Sequence, residues 1–426
     1  MITPDALPRL LHGATGRPLT LAQHEETFAI TGRREGTLLD QLEASGLTGR
    51  GGAAFPTARK ARLIRDQRGH NKFMVVNSME GEPASHKDQT LLATNPHLVL
   101  DGAEYLASII GANNIAVAVA RDNPSAVNHL ERAIHERSRR SLRGPKIELH
   151  TPPWRYVAGE ESALVHWLDD NESLPQYRPR RPTILRIGHS PVLVDNAETC
   201  ANVGLIGRYG ADWFRAQGTH ESPGTNLVSI TGAVTRPTVL EASLGSSLRS
   251  ILAVGGADPH PQALLMGGYG GAWISGDHLD TPYTNQDLNP LGASIGAGII
   301  IVLPRGGCGL VETQRIARWM ANESARQCGP CAFGLPALAE DLSQLTQNSR
   351  DPQAVFKRLV ERCGVIENRG ACRHPDGVIR LVRSALNVFA EDIANHMRGA
   401  PCAGSRSNQH FATVPTLERE EELIWE

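Results

Sequence analysis

Cys328-Gly329-Pro330-Cys331 is a C-x-x-C pair, Cys372 follows it further along the chain beside His374, and Cys363 falls between them. Such a pair at a helix start suits a redox dithiol, half of a zinc site, or part of an iron–sulfur site. A dithiol of the thioredoxin kind expects a βαβ context, which this segment lacks. Zinc prefers four ligands; Cys328, Cys331, Cys372 and His374 would supply them, although the last two crowd one tetrahedral ion. A cubane cluster takes a cysteine triplet plus a distant fourth, and the triplet here is short by one. Buried inert cysteines also fit the spacing. Cys200, Cys308 and Cys402 look scattered.

A second chemical signal is glycine-rich. Gly49-Arg50-Gly51-Gly52-Ala53-Ala54 satisfies G-x-G-x-x-A, but the preceding segment reads as a helix, not as the strand a dinucleotide fingerprint requires. What survives is physical. Closely spaced glycines leave backbone N–H groups uncovered, with Arg50 and Lys60 nearby, which suits a phosphate or a flat ring laid on the main chain. A plain surface loop is the competing reading; Phe55-Pro56 argues for an ordered wall instead. Two acidic loops complete the set. Glu80 and Glu82 follow a predicted strand, and Glu160 and Glu161 follow Gly159. Carboxylates beyond the carboxyl ends of strands in an open α/β sheet lie where ligands bind, and they accept hydrogen bonds from ribose or amide groups. Each loop taken alone also reads as a solvated turn.

The elements that must position these residues follow from pattern. Apolar runs at 73–76, 114–120 and 146–150 read as strands, and 38–44, 98–110 and 126–137 as helices. The alternation predicts a parallel sheet with helices on its faces. From about residue 220 the texture changes, with strands at 227–234 and 238–241, a short helix at 247–254, and glycines closing 264–271. Helices are expected at 313–322, 335–345, 352–361 and 377–396, a run that suggests a small bundle. The tail after residue 398 is expected to be loosely held.

Composition narrows the class. The 426 residues are 40% hydrophobic and 21% charged, an ordinary globular mixture long enough for two or three domains. A net charge of −2 excludes a bulk electrostatic case for nucleic acid or anionic membrane. No run reaches the ~18 apolar residues of a membrane span, and residues 1–13 lack a basic segment followed by an apolar one. A cytoplasmic protein with reduced cysteines is the expectation.

Six ordered stretches then resemble one family. They are residues 46–60, 77–103, 156–164, 195–203, 224–241 and, as a pair around the cysteines, 323–334 with 370–377. They are similar to the 51-kDa NADH-binding flavoprotein subunits of respiratory complex I and their relatives in NAD-linked hydrogenases and formate dehydrogenases. The resemblance implies an α/β Rossmann-like flavin domain over residues 1–218 that binds FMN and nicotinamide. A ubiquitin-like β-grasp (SLBB-type) module would cover 219–305, a helical bundle with iron–sulfur-type cysteines 306–400, and a tail 401–426. It implies FMN on the glycine loop, with Gly49, Arg50, Gly51, Gly52 and Lys60 at matching positions. Asn77 and Glu80 match flavin-side contacts, Gly159, Glu160 and Glu161 the second acidic loop, and Asn196 and Thr199 residues near the FMN phosphate. Glu80 and Glu82 match an acidic patch in the nicotinamide cleft, and Phe55 an adenine-stacking aromatic. Cys328, Cys331 and Cys372 match three cluster ligands.

The departures from the family pattern are as informative. Met79 replaces a flavin-site carboxylate, while Leu63 and Arg181 replace stacking phenylalanines. Ala325 stands where the family has the first cluster cysteine. Three thiolates leave a [3Fe–4S] cluster, a [4Fe–4S] cluster completed by Cys363, His374, water or a partner's ligand, zinc, or no metal. The implied activity is electron transfer from NAD(H) or NADPH through FMN and an iron–sulfur cluster to a ferredoxin-like partner protein, peripheral to a membrane complex or free of one. An FMN protein fed by ferredoxin and a redox-inactive scaffold are the alternatives.

Overall fold

A computed structural model describes residues 9–13, 16–29, 36–69, 71–139, 144–177, 184–347, 349–400, 402–407 and 409–415. Arg181 lies outside the described residues, as do residues 1–8 and 416–426. The first sheet contains β1 (Phe73–Ser78), β2 (Asn114–Val119), β3 (Lys146–His150), β4 (Arg186–Ile187) and β5 (Ser190–Asn196), in the order β3-β2-β1-β5-β4. All pairs are parallel except β4 with β5. β2 reads as an unbroken apolar run because helices cover both of its faces; its last five residues are all buried. The chain winds from β1 outward to β3 and then returns to β5 on the other side. The sheet therefore has its topological switch between β1 and β5.

Behind that switch, helix Pro96–Ile110 packs on helix Ala197–Tyr209. Small residues make the approach possible. A Cβ on Gly102 would sit 1.7 Å from the Cys200 carbonyl oxygen, and one on Gly204 2.7 Å from that of Leu98. The sequence patterns omit β5 and the helix after it. Pro191 and the polar residues flanking a short apolar core weaken the strand signal there.

The second sheet holds β6 (Thr225–Gly232), β7 (Thr238–Ser243), β8 (Ala263–Met266), β9 (Ala272–Ser275) and β10 (Ile299–Leu303), in the order β7-β6-β10-β8-β9. Only β6 and β10 run parallel. Helix Leu248–Gly255 lies between β7 and β8 in the chain. Helices Gly309–Asn322, Leu335–Thr346, Pro352–Ile366, His374–Val388 and Ala390–Met397 follow. The single helix expected at 377–396 is broken at Phe389, whose φ of −104° and ψ of 30° leave the helical region. Phe389 instead buries its ring against Trp273, 5.2 Å between centroids.

The expectation of a loose tail is corrected for its described part. Ala412 is buried, and the backbone amides of Phe411 and Ala412 donate to the buried Glu312 carboxylate at 3.3 and 3.0 Å. Composition cannot reveal such anchoring, because the acceptor lies about a hundred residues away. Among the described residues, no helix is long and apolar enough to cross a membrane.

Candidate functional site: a glycine-floored cleft that reaches a cysteine cluster

β1 and β5 end side by side, with Asn77 and Asn196 as register partners. Ligands of open α/β sheets bind outside the strand ends at such a switch. A cleft of about 400 Å³ opens there. One wall comes from the first sheet and its loops: Arg50, Gly51, Gly52, Asn77, Glu80, Glu82, Gly159, Glu160 and Asn196. The second sheet's loops add Gly267, Gly270, Gly271 and Gly296, and the helical part adds Met320, Cys372, His374 and Arg380.

The glycine loop is an ordered wall. Gly49 donates its amide to the Phe55 carbonyl at 2.8 Å, and Thr57 donates to Leu47 at 3.0 Å. Gly52 holds φ at +109°, a conformation that strains side-chain-bearing residues, and its exposed neighbour Gly51 lines the cleft where a Cβ would lie 3.4 Å from Asn196 Cβ. The Arg50 amide donates to the Thr199 hydroxyl at 2.8 Å. Its guanidinium turns inward, donating to Thr48 at 3.1 Å and to the Thr225 carbonyl of β6 at 3.0 Å. Arg50 therefore fastens the loop to the second sheet more than it offers charge to a ligand.

The acidic loops are tied to each other. Asn77 Nδ2 donates to the Gly159 carbonyl at 2.8 Å. Glu80, at φ +41°, accepts from Ser85 Oγ at 2.7 Å and from the amides of Asp88 and Gln89 at 2.9 Å each. Burial, and then the Asp88 carboxylate, push its carboxyl upward. Glu82 accepts from the Tyr269 amide at 3.1 Å and pairs with Tyr156, yet burial pushes it up to about 8. Glu160 caps helix Glu161–Asp170, accepting from the amides of Ser162 and Ala163.

Several expected residues stand back from the cleft. Lys60 does not line it; its ammonium meets Glu161 at 2.6 Å, Asp195 at 3.6 Å and the Val194 carbonyl. Burial disfavours that charge, but the two carboxylates outweigh it and raise the ammonium's pKa. Phe55 lies under Arg59, 5.5 Å from guanidinium to ring, and Thr199 is fully buried behind the glycine loop. Gly49 and Glu161 likewise support the loop and its flank.

Lys87 also lines the cleft, beside Arg373 and Arg380, and residue type alone does not single it out. Its buried ammonium meets Asp88 at 2.9 Å, Glu198 at 3.0 Å and Asn196 at 3.1 Å. Burial opposes its charge, and the Asp88 and Glu198 carboxylates reverse that, raising its pKa. Lys87 sits inside the acidic-loop stretch, so position was legible while burial was not.

A polar planar ligand fits these walls. The cleft has a bare glycine floor, an inward lysine, and three lining residues with a buried polar atom that lacks a hydrogen-bond partner: Arg50 Nε, Glu82 Oε1 and His374 Nδ1. The cysteines fit a cluster in part. Cys331 is buried, interacts with Cys328 and Cys372, and is in hydrogen-bond contact with Cys328 and Ser324. Burial raises the Cys372 thiol to about 11. Ala325 offers no ligand atom. Cys363 faces Arg383 and Glu367 instead, and the His374 Nε2 edge meets the Met320 carbonyl at 2.8 Å. Glu323, just before this motif, binds Arg155 at 3.0 Å and the Tyr156 amide at 3.2 Å, locking the cysteine segment to the second acidic loop.

Comparison with known proteins agrees with this architecture. Residues 42–205 match the family model described as the Nuo51 FMN-binding domain, and residues 312–396 match the NADH-ubiquinone oxidoreductase-F iron–sulfur binding region. An NADH-quinone oxidoreductase subunit of Streptomyces coelicolor is 29% identical over 377 residues, covering 86% of this chain and 84% of the relative. The NADP-reducing hydrogenase subunit HndC of Solidesulfovibrio fructosivorans is 28% identical over 378 residues, covering 86% and 77%. The crystal structure of an NAD+-reducing [NiFe]-hydrogenase in the H2-reduced state superposes with a TM-score of 0.78 at 26% identity, covering 84% of this chain. This chain spans 62% of that hydrogenase chain's length. Fold and site together define an oxidoreductase of the NADH dehydrogenase-like class. Within it, the chain resembles, over most of its length, the NADH-binding flavoprotein subunits of complex I and related hydrogenases.

Proposed function

We propose that this chain is a flavin-dependent electron-transfer subunit that takes electrons from a reduced nicotinamide nucleotide and delivers them to a partner protein through its cysteine cluster. The observation that carries this reading is that Cys372 lines the same cleft as Gly51, Gly52, Asn77 and Asn196. One continuous space joins the flavin-type floor to Cys372, the member of the thiol group that lines it.

FMN, when bound, supplies the exchange between two-electron and one-electron chemistry. The chain's own residues do the rest. The Gly51 and Gly52 amides and the Lys87 ammonium offset negative charge on the bound group. Asn77 and Asn196, cross-linked to Gly159 and Asp88, hold its polar edge. Glu82, carrying a proton near neutral pH, donates a hydrogen bond to the donor nucleotide instead of repelling its phosphates. Leu63 and Met79 in place of a stacking ring and a carboxylate favour a relaxed choice of donor, NADPH included.

The second sheet is read as a ubiquitin-like β-grasp module of the SLBB type. Its support is the order β7-β6-β10-β8-β9, with one parallel pair and a helix after the first hairpin. The helices after it are read as the cluster-bearing bundle. A small ferredoxin-like iron–sulfur protein is the natural acceptor; Phe333, two positions beyond Cys331, is 78% exposed there. The protein is placed in the cytoplasm, peripheral to a membrane complex if attached to one.

The test is the visible spectrum of anaerobically purified protein. A flavin band near ~450 nm with a broad shoulder is expected. A colourless protein that takes up no FMN in excess would overturn the reading. Ala325 favours one second reading, a flavoprotein without a cluster. Ala325→Cys separates the two: iron content rises if the vacancy limits the cluster, and stays low if the bundle holds none.

A further inference from the structure

Three residues that look scattered in the sequence converge away from the cleft. Cys308 precedes helix Gly309–Asn322, His396 lies in the last turn of helix Ala390–Met397, and Cys402 opens the short turn Ala403–Arg406. His396 Nε2 is 3.6 Å from Cys308 Sγ and 3.9 Å from Cys402 Sγ, and the three ligand atoms all lie within 4.8 Å of one another. Cys308 and His396 are 4% and 2% exposed, walled by Leu310 and Ile393. The backbone is shaped to bring Cys402 in. A Cβ on Gly404 would meet the Gly306 carbonyl oxygen at 2.4 Å and the Cys308 nitrogen at 2.6 Å.

We propose that Cys308, His396 and Cys402 form a zinc site, distinct from Cys328, Cys331 and Cys372, that fastens the turn Ala403–Arg406 to the helical part of the molecule. The spacing is that of a metal shell. Zn–S bonds of about 2.3 Å and Zn–N bonds of about 2.0 Å at tetrahedral angles place sulfur and nitrogen ligand atoms about 3.5 Å apart. The charge also suits the place. Two thiolates, a neutral imidazole and Zn2+ sum to zero, which an apolar pocket accepts, whereas a monovalent soft metal would leave a net negative charge. Calcium and magnesium need oxygen ligands, which this set lacks. Binding replaces two thiol protons, which pass to the buffer.

The imidazole is presented by the correct edge. Nε2 faces both sulfurs, while Nδ1 is buried on the opposite edge with no partner at hydrogen-bond distance, and the Leu345 backbone acts on the ring. Ligating histidines commonly orient that second nitrogen toward a carbonyl or carboxylate. Among the described residues, no fourth histidine, cysteine or carboxylate joins the group, so water completes the tetrahedron.

The experiment uses the full chain, loaded with zinc chloride, desalted, and assayed for zinc and iron by mass spectrometry. About one zinc per chain is expected in the parent protein. Cys402→Ser and His396→Gln should lose it with iron content unchanged. Cobalt(II) added to the metal-free parent protein should give tetrahedral d–d bands and thiolate charge-transfer absorption, a readout that needs no variant. Trypsin cleavage after Arg406 should accelerate when zinc is chelated. Zinc retention in Cys402→Ser would overturn the proposal. So would a parent protein that, kept reduced, binds neither zinc nor cobalt outside the Cys328 cluster, or an intact mass showing a Cys308–Cys402 disulfide in its place.

Discussion

Glu82 illustrates how far a single side chain departs from its sequence identity. Burial pushes its carboxyl from 4.5 to about 8, although the Tyr269 amide and Tyr156 pull the other way. The folded chain therefore keeps a proton that the unfolded chain releases. Stability from this group is fully present below about pH 4.5 and is lost as pH rises through about 8. Glu82→Gln preserves the shape and removes the titration. Its thermal midpoint should vary less between pH 5 and 8 than that of the parent protein, by a few degrees on the usual scale. Identical slopes would remove Glu82 as the source. Lys87 makes the complementary point. It is as buried as an apolar residue because Asp88, Glu198 and Asn196 surround its ammonium. A lysine in a polar stretch gives no sign in sequence that its partners will arrive from Glu198, a hundred residues on.

At the scale of elements, the site depends on the pair of helices Pro96–Ile110 and Ala197–Tyr209. The second is capped by Asn196 and carries Thr199, so its seating sets both the cleft wall and the anchor of the glycine loop. Gly102 has no room for a methyl group, with the Cys200 carbonyl 1.7 Å from where it would lie. Gly102→Ala must push the helices apart. A loss of about 1–3 kcal/mol is expected, the range for overpacking a filled interior. FMN affinity should fall in parallel, measured by flavin fluorescence on titration. Lost stability with unchanged flavin affinity would mean that the helix pair does not position the site. The chain pattern finds the first of these helices but not the second, nor β5 before it. The first is long and has a clean apolar face, whereas the second is buried on nearly every side and shows no amphipathic period.

For the whole molecule, the cleft is a joint between three parts. The first sheet supplies its strand ends, the second sheet its glycine turns, and the helices its thiol and imidazole. Arg50 crosses one boundary to Thr225, and Glu323 crosses another to Arg155. A ligand at such a joint stabilises all three parts together. With FMN at a hundred times its dissociation constant, mass action gives about 2.7 kcal/mol. Calorimetry should show the entire unfolding envelope move upward. A shift confined to one of several resolved transitions would mean that only one wall holds the flavin.

The chemical inventory is readable from the chain alone: a bare glycine loop, two acidic loops, three cysteines at positions that match the family's cluster motif, Ala325 where that motif has a fourth, and a change from parallel α/β pattern to short-looped helices. These are local, since each is carried by residue type and by spacing over a few positions. Which members line the cleft follows from the folded arrangement. Lys60 retired into a pair with Glu161, Lys87 took the place beside Asn196, and Cys308 and Cys402 met at His396. Each of those outcomes rests on contacts between segments far apart in the chain. There, burial and charge balance, not identity, choose the partner.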